Sequence, residues 1–395
     1  MVEHLSEDLR DGLDAFARGD MTNAVTRLRA AAATTEGGTA ARSEVLQRLG
    51  SALARTGQFA TADETLIEAV EAARTSNDRG GELRALIERM TWRVEAGSAT
   101  EEEAVELART AIPVFEQLGD ELGLAKAWHL TGDEHVVDTW AAGTAGLERA
   151  LVHARRAGDQ REIADILWWL AVTYHFGPTP ADEAIRRCDE LIGLARGDRT
   201  VEAGVLGVLA GLNAMQGRFA EARASFAQGL AILEELGLDL RMATRRTISG
   251  MIELLADDPA AAERELRWGY ERLEKMGEKP EGGIARQLAE ALYRQGRYDE
   301  AERYALDEVR AKLLARRGEF EGAERLAGEV IAAADRGDTV NRRGDARLGL
   351  AEVLSLAGRN DEAAAALDEA RVQYEAKRNV AAVARVEKLR ASLLL

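Results

Sequence analysis

A short motif that returns about every 40 residues constrains this 395-residue chain more than any other feature. It consists of a glycine, a polar residue, usually an aromatic residue, two further residues and an alanine. A chain divided at so short a pitch is predicted to build one array of small units rather than two to four independent domains. Clear copies start at Gly57, Gly217, Gly296, Gly318 and Gly358. Looser copies put a small residue at Ala24, Ala104, Gly143, Ala184 and Ala262.

Each copy of the motif predicts the corner between two helices. The glycine suits a left-handed backbone at the end of the first helix, and acidic residues that often follow favour the first turn of the second. Small residues at helical spacing let the two backbones approach closely. Such residues occur at Gly50, Ala62 and Ala69, and again at Ala210, Ala222 and Gly229. The repeated unit is therefore predicted to be a helical hairpin.

Composition and charge narrow the class of protein further. Hydrophobic residues make up 46% of the chain but aromatic residues only 5%, which favours alanine- and leucine-rich helices over strands. The net charge of -17 disfavours nucleic acid and anionic membranes as partners. Cys188 is the single cysteine, which fits a reducing compartment, and no apolar run is long enough to span a bilayer. We therefore expect a cytoplasmic, all-α protein.

These spacings resemble the tetratricopeptide repeat, whose hairpins carry small residues at three fixed positions. The ordinary period of that family is about 34 residues, so units near 40 indicate hairpins with roughly one extra turn. The segment 315–377 is similar to the long-repeat arrays that lie C-terminal to bacterial STAND-type signalling ATPases and class III nucleotide cyclases. The resemblance implies an α-solenoid of about ten antiparallel hairpins in a right-handed superhelix.

Two segments depart from a regular array. Between Ala301 and Ala323 the step falls to about 22 residues, and no glycine or proline interrupts 299–317. We expect there either one longer helix or a hairpin that lacks about one helix. The second departure is 176–180, where Pro178 and Pro180 predict a longer corner between two helices.

No pattern in the sequence points to catalysis, a cofactor or a metal. None of the six lysines follows a glycine, so the chain has no phosphate-binding P-loop. Gly204, Gly207 and Gly211 lie inside a helical pattern without a preceding strand, which argues against a dinucleotide site. Cys188 is predicted to be a buried structural residue. No two histidines have the i, i+4 spacing of a helical zinc site. We therefore predict a protein that is not an enzyme and has no cofactor or metal.

The resemblance also implies where binding occurs. In the family the first helix of each hairpin lines the concave groove, and its inward positions carry over to this sequence. They indicate a groove wall left bare by Gly204, Gly207 and Gly211. The strongest candidates for binding are Trp128, His135, Trp169, Thr173, Phe176, Arg286 and Tyr293. Other inward positions are Gln47, Ser51, Arg55, Thr247, Met251, Glu290 and Arg294.

The aromatic residues allow two interpretations. Trp128, His135, Trp169 and Phe176 can form an apolar floor for a peptide or helix, since aromatic side chains give large contact area at little entropic cost. Alternatively, the tryptophans fill gaps between alanine-rich helices. The arginine groups likewise either receive an acidic peptide or pair with nearby carboxylates.

The expected function is that of a scaffold or adaptor that binds a protein or peptide segment in its groove. The alternative is a ligand-responsive signalling module that controls a partner ATPase, cyclase or transcription factor. We expect one solenoid over 1–395, with 378–395 as a C-terminal capping helix, because a terminal repeat must cover its neighbour's apolar face. The apolar ends of such an array also allow self-association.

Overall fold

The chain folds into α-helices joined by short corners. The computed structural model describes residues 7–132, 139–195, 197–277, 280 and 282–393, and none of these residues is in a β-strand. The predicted all-α class is confirmed. The chain divides into two compact units. Unit 1 comprises Met1–Asp138 and Ala142–Leu170, and unit 2 comprises Thr139–Ala141 and Ala171–Leu395. The single solenoid over 1–395 stays a prediction.

The helices of the first half are α1 Glu7–Ala17, α2 Met21–Thr34, α3 Ala40–Arg55, α4 Phe59–Thr75, α5 Arg79–Glu95, α6 Glu101–Leu118, α7 Glu121–Leu130, α8 Trp140–Ala157, α9 Gln160–Phe176 and α10 Ala181–Leu194. Those of the second half are α11 Arg199–Met215, α12 Phe219–Glu235, α13 Asp239–Thr244, α14 Arg246–Leu255, α15 Pro259–Lys275, α16 Gly283–Arg294, α17 Tyr298–Glu302, α18 Asp307–Arg316, α19 Phe320–Asp335, α20 Val340–Leu356, α21 Asn360–Lys377 and α22 Val380–Ser392. Consecutive helices pack as hairpins, such as α3 with α4, α11 with α12 and α20 with α21.

The motif glycines form the corners of these hairpins. All five clear copies have a left-handed backbone, with φ of 79° at Gly57, 73° at Gly217, 75° at Gly296, 83° at Gly318 and 76° at Gly358. A side chain would strain the backbone at these positions. The second helix of each hairpin begins two residues after the glycine, so the predicted corners are confirmed.

Small residues at the helix crossings have the predicted role. A Cβ atom on Gly50 of α3 would lie 2.5 Å from Cγ of Leu66 on α4, and Leu66 is itself fully buried. Ala62 and Ala69, on the same face of α4, are also buried. In α12, a Cβ atom on Gly229 would lie 3.0 Å from the carbonyl oxygen of Ala203. The two helices of a hairpin therefore touch at positions without room for a longer side chain.

This packing predicts a stability effect that depends on position. Gly50→Leu should lower the free energy of unfolding by about 1–3 kcal/mol, because the new side chain must displace Leu66. Gly193→Leu is the matched control, since a Cβ atom at Gly193 of α10 meets nothing within 4 Å. Urea unfolding of the two variants measures the difference. Equal stability of both variants would show that the crossing tolerates bulk.

The short step near residue 310 is a hairpin with a truncated second helix. Helix α16 is followed by α17, which has only 5 residues, and α18 then begins the next hairpin. Of the two alternatives, one long helix over this segment is wrong and the shortened hairpin is correct. The chain leaves α17 through Tyr304, whose ring packs edge-on against Tyr270 of α15 at 5.1 Å. This contact and the buried Ala305 cover the core that a full helix would otherwise cover.

The proline corner also forms as predicted. Helix α9 ends at Phe176, and Pro180 occupies the N-cap position of α10. Gly177 is needed within this corner, because a Cβ atom there would lie 2.6 Å from the carbonyl oxygen of Thr173. The corner is therefore built by local backbone packing.

Candidate functional site

Unit 2 contains a partly open cavity of about 160 Å³. Its walls come mainly from the first helices of successive hairpins, α11, α14, α16, α18 and α20, together with α22. One part of the lining is apolar and another carries charged and amide side chains. The apolar residues are Met215, Met251, Leu254, Leu255, Val309, Leu348 and Ala382. The charged and amide residues are Arg286, Gln287, Glu290, Arg294, Glu308, Lys312, Asn341, Asp345, Glu352, Asn379 and Arg385.

Ion pairs hold most of the charged wall in place. Nε of Arg294 donates to Glu290 Oε1 at 2.7 Å, and Lys312 pairs with Oε2 of the same carboxylate. Arg385 of α22 reaches Glu290 Oε1 at 3.4 Å. Burial disfavours the charged carboxylate, but Lys312 and then Arg294 outweigh it and lower the pKa of Glu290 to about 2. Glu290 is therefore ionised, and its carboxylate forms ion pairs with cations of the protein.

The predicted site residues Arg286 and Tyr293 lie on α16 but differ in position. Arg286 lines the cavity and donates to Glu308 Oε2 at 3.3 Å. Tyr293 is buried, and its hydroxyl donates to Glu352 Oε1 at 2.6 Å while accepting from Nε of Arg316 at 2.9 Å. Its ring also contacts the Lys312 ammonium, at 4.4 Å from the centroid. Tyr293 thus does not line the cavity itself but contacts Glu352 and Lys312, which do.

The glycines of α11 do not leave a bare wall, so that prediction is wrong. A Cβ atom on Gly207 would lie 2.5 Å from Nη1 of Arg245, and one on Gly211 would lie 2.4 Å from Cε1 of His175. Nη1 of Arg245 also donates to the carbonyl oxygen of Gly204 at 3.1 Å. The glycines therefore make room for large side chains from neighbouring helices.

The other predicted residues lie in both units. Trp128 is half-buried in unit 1, within its own hairpin, where the guanidinium of Arg149 lies 4.6 Å from the ring centroid. Trp169 is half-buried in the unit 1 part of α9. Thr173 is buried in unit 2, where the exposed ring of Phe176 stacks on Trp140 at 5.5 Å. His135 lies outside the described residues. Whether these residues bind anything stays a prediction.

A buried ion network in unit 1 was not anticipated from the sequence. Nζ of Lys126 donates to Glu88 Oε2 at 2.5 Å and to Glu162 Oε2 at 3.2 Å. Nδ1 of His129 lies 2.6 Å from Glu162 Oε1. The residues come from α5, α7 and α9, which are distant in sequence. None of these four residues is among the inward positions assigned from the sequence.

Unit 1 has its own inner cavity, of about 250 Å³. Gln47 and Ser51, both assigned to inward positions from the sequence, line it. Arg55, the third such residue of α3, pairs with Asp165, with Nη2 and Oδ2 2.5 Å apart. The assignment of inward positions on α3 therefore agrees with the structure.

Lys377 is a fully buried cation in unit 2. Its Nζ donates to the carbonyl oxygens of Tyr174 at 2.9 Å and Gly177 at 2.6 Å, which lie at the C-terminal end of α9. Burial lowers the pKa of Lys377 to about 7, opposed by Cys188 and Asp338. Burial and then the Lys377 charge lower the pKa of the adjacent His175 to about 3.

This lysine predicts a pH effect on stability. Between pH 7 and about 10 the unfolded lysine binds more protons than the folded one, so the free energy of unfolding should rise with pH. The contribution is at most about 1.4 kcal/mol per pH unit. Urea unfolding at pH 7, 8 and 9 measures the slope, and Lys377→Met should lack this component. An identical slope in the variant would contradict the assignment.

Two kinds of site are absent from the part of the chain that the structure describes. No three His, Cys, Asp or Glu side chains lie together as a metal site requires. No helix in the described ranges combines the length and apolar character needed to cross a bilayer.

Comparisons with protein families identify the repeat. One tetratricopeptide-repeat family model matches residues 43–76 and another matches residues 283–307. The first contains the α3–α4 hairpin and the second contains α16 and α17. The chain therefore contains tetratricopeptide repeats in these two segments. A search of curated protein sequences found no match.

Solved structures resemble this chain at low sequence identity. A Rap protein complexed with Competence and Sporulation Factor is 12% identical, with 90% of this chain and 99% of that chain covered and a TM-score of 0.52. The apo form of the quorum sensor NprR from B. thuringiensis is 14% identical, with 98% of each chain covered and a TM-score of 0.49. A STAND protein with a tetratricopeptide repeat sensor from Pyrococcus horikoshii is 13% identical, with 95% and 55% covered and a TM-score of 0.40. The first of these establishes a shared fold.

Proposed function

We propose that this chain is a non-catalytic adaptor whose unit 2 cavity binds a segment of a peptide or protein. The observation that carries the proposal is the cavity itself, in which five successive first helices present apolar and polar side chains to one shared space. Binding sites of proteins commonly combine an apolar lining with a few placed polar groups. Rap, a protein of this fold, is complexed with Competence and Sporulation Factor, and only a general capacity to bind a partner is carried over here.

The chemistry of the reactive side chains in unit 2 supports a binding role over a catalytic one. Burial raises the pKa of the Cys188 thiol to about 12, which leaves no thiolate to act as a nucleophile. His175 has a pKa of about 3 and is shut off from solvent, so it cannot serve as a general base for an external substrate.

A specific set of contacts favours a ligand-responsive sensor as the second candidate. Within unit 2 the last helices contact the first ones: Lys377 donates to carbonyls at the end of α9, and Nε2 of Gln216 donates to the carbonyl oxygen of Arg378 at 2.6 Å. Lys388 of α22 also pairs with Asp257, with Nζ and Oδ2 2.6 Å apart. A ligand that entered the cavity by separating these contacts would change unit 2 as a whole, and it could thereby control a partner.

A selection experiment tests the proposal. The full chain is immobilised and challenged with a displayed library of random linear peptides, and enriched peptides are measured by calorimetry. An adaptor should enrich peptides that bind with one-to-one stoichiometry. Failure to enrich any sequence would contradict the proposal. Capture of a second protein only in the presence of a selected peptide would favour the sensor.

The aromatic floor predicted from the sequence is proposed separately. If Trp128 and Trp169 contact a partner, Trp128→Ala and Trp169→Ala should abolish capture of a selected peptide and leave the thermal unfolding temperature nearly unchanged. Calorimetry and thermal unfolding are measured on each variant. A parallel loss of binding and of stability would instead assign both tryptophans to the core of unit 1.

A further inference from the structure

The cavity of unit 2 contains a carboxylate that the protein does not pair with a cation. Glu290, Glu308 and Glu352 each have a lysine or arginine nearby. Asp345 of α20 also lines the cavity and remains exposed, but it forms no ion pair among the described residues. Among the described residues it accepts one hydrogen bond, from the Tyr374 hydroxyl to Oδ1 at 2.7 Å. The second oxygen of this carboxylate is therefore free to accept.

Gln287 of α16 provides a second unused acceptor in the same cavity. Its Oε1 is shut off from solvent and accepts no hydrogen bond. Exchanging the amide oxygen and nitrogen would leave a buried donor unpaired instead. Buried polar groups without partners are rare in folded proteins, because losing the hydrogen bond to water is unfavourable. A hydrogen-bond donor on a bound ligand would satisfy this amide oxygen.

The charge of the missing group follows from the rest of the wall. The cations that line the cavity, Arg286, Arg294, Lys312 and Arg385, are each within ion-pair distance of Glu290 or Glu308. Arg286 pairs with Glu308, and Arg294, Lys312 and Arg385 share Glu290, so a carboxylate of the protein contacts each of these cations. The unused groups are acceptors, and one of them is ionisable. A complementary ligand must therefore bring donors and a positive charge.

The size and the apolar lining of the cavity limit the choice of ligand further. A cavity of about 150 Å³ holds a molecule of roughly six heavy atoms, such as benzene, and this one is about 160 Å³. Met251, Leu254 and Leu255 of α14 supply an apolar wall for methylene groups. A chain of a few methylenes that ends in an amine fits both the volume and the two kinds of wall.

We propose that Asp345 and Gln287 form a subsite for a primary ammonium group carried on an aliphatic stem. This inference rests on the proposed function and names the chemistry of the bound segment. The ammonium donates one hydrogen to Asp345 and, once the Gln287 side chain turns toward it, one to Gln287 Oε1, and its stem lies along the α14 wall. The group belongs either to a lysine side chain or to the free amino terminus of the segment.

Three small probes test the subsite by calorimetry or ligand-observed NMR on the full chain. Nα-acetyl-lysine amide carries only the side-chain amine, leucine amide carries only the α-amine, and Nα-acetyl-norleucine amide carries neither. Wild-type protein should bind at least one of the two amines tenfold or more tightly than the norleucine compound. The amine that wins identifies the source of the ammonium group. No preference for either amine, or no binding of any probe, overturns the inference.

Variants of Asp345 and Gln287 test whether the preference for an amine depends on these two residues. Asp345→Asn should abolish it, and because an asparagine oxygen can still accept from Tyr374, the unfolding temperature should change little. Asp361→Asn removes the same charge from the exposed start of α21 and should keep the preference. Gln287→Leu should weaken amine binding, whereas Gln287→Glu should strengthen it by adding a second carboxylate. A preference that survives Asp345→Asn contradicts the inference.

The inference and the proposed function can fail separately. If selected peptides bind the cavity but show no dependence on an amine or on Asp345, the subsite is wrong and the adaptor function stands. If amine probes bind through Asp345 but no peptide or protein segment is captured, the subsite stands and the adaptor function is wrong.

Discussion

Lys126→Met is expected to lower the free energy of unfolding by about 3–5 kcal/mol. The substitution removes the cation shared by Glu88 and Glu162 and leaves two carboxylates in a space that is nearly closed to solvent. Burial disfavours the ionised form of Glu88, but Lys126 outweighs it and lowers the pKa of Glu88 to about 2. Without Lys126, Glu88 must take up a proton or lose its ion pair, and Glu162 keeps its contact with His129 but loses the lysine, so unit 1 is destabilised. Urea unfolding at neutral pH measures the loss.

Two controls separate this effect from a general loss of charge. Lys388→Met removes a lysine from an exposed ion pair with Asp257 and should leave the free energy of unfolding nearly unchanged. Adding Glu88→Gln to Lys126→Met should recover part of the lost stability, because it removes one of the unpaired carboxylates. If Lys126→Met is no more harmful than Lys388→Met, the network is not a buried structural element.

Gly349→Leu is expected to weaken binding of a cavity-bound peptide by about a hundredfold or more, which corresponds to about 2.7 kcal/mol. Gly349 lies on α20 and lines the unit 2 cavity, and a Cβ atom there meets nothing within 4 Å. The leucine side chain would therefore occupy the space that the ligand needs. Because glycine is a poor helix former, the variant should fold at least as stably as the wild type. Calorimetry with a selected peptide measures the loss.

The matched control for this variant is Gly328→Leu. Gly328 is an exposed residue of α19, and a Cβ atom there also meets nothing within 4 Å. The two variants have the same change in composition and helix propensity but differ in whether the side chain enters the cavity. Peptide affinity that falls equally in both, or in neither, would rule out the cavity as the binding place.

The corners and crossings of the fold could be predicted because they depend on local rules. A left-handed backbone needs glycine at positions such as Gly57, and a close crossing needs a small residue such as Gly50. Both requirements repeat with the hairpin, so they are visible in one sequence. The inward assignment of Arg286, Glu290, Arg294 and Met251 also agrees with the lining of the cavity, because the register of a helix fixes which positions share a face.

The contents of the inner walls could not be predicted because they depend on pairs of residues that are distant in sequence. Gly211 belongs to α11, but the side chain that needs its space is His175 of α9. Lys377 finds its acceptors about 200 residues away, and Asp345 is distinctive because it forms no ion pair among the described residues. Which charges are paired and which remain available emerges only from the packed helices.

Photo-crosslinking tests most directly the claim that the inner face of unit 2 is the binding surface. A peptide selected on the full chain is resynthesised with a photoreactive residue, irradiated on the protein, and the adducts are located by mass spectrometry. Adducts are expected on α14, α16 and α20, at residues such as Met251, Gln287 and Leu348, and they should be lost in Gly349→Leu. Adducts confined to the second helices α12, α15 and α19 would contradict the claim.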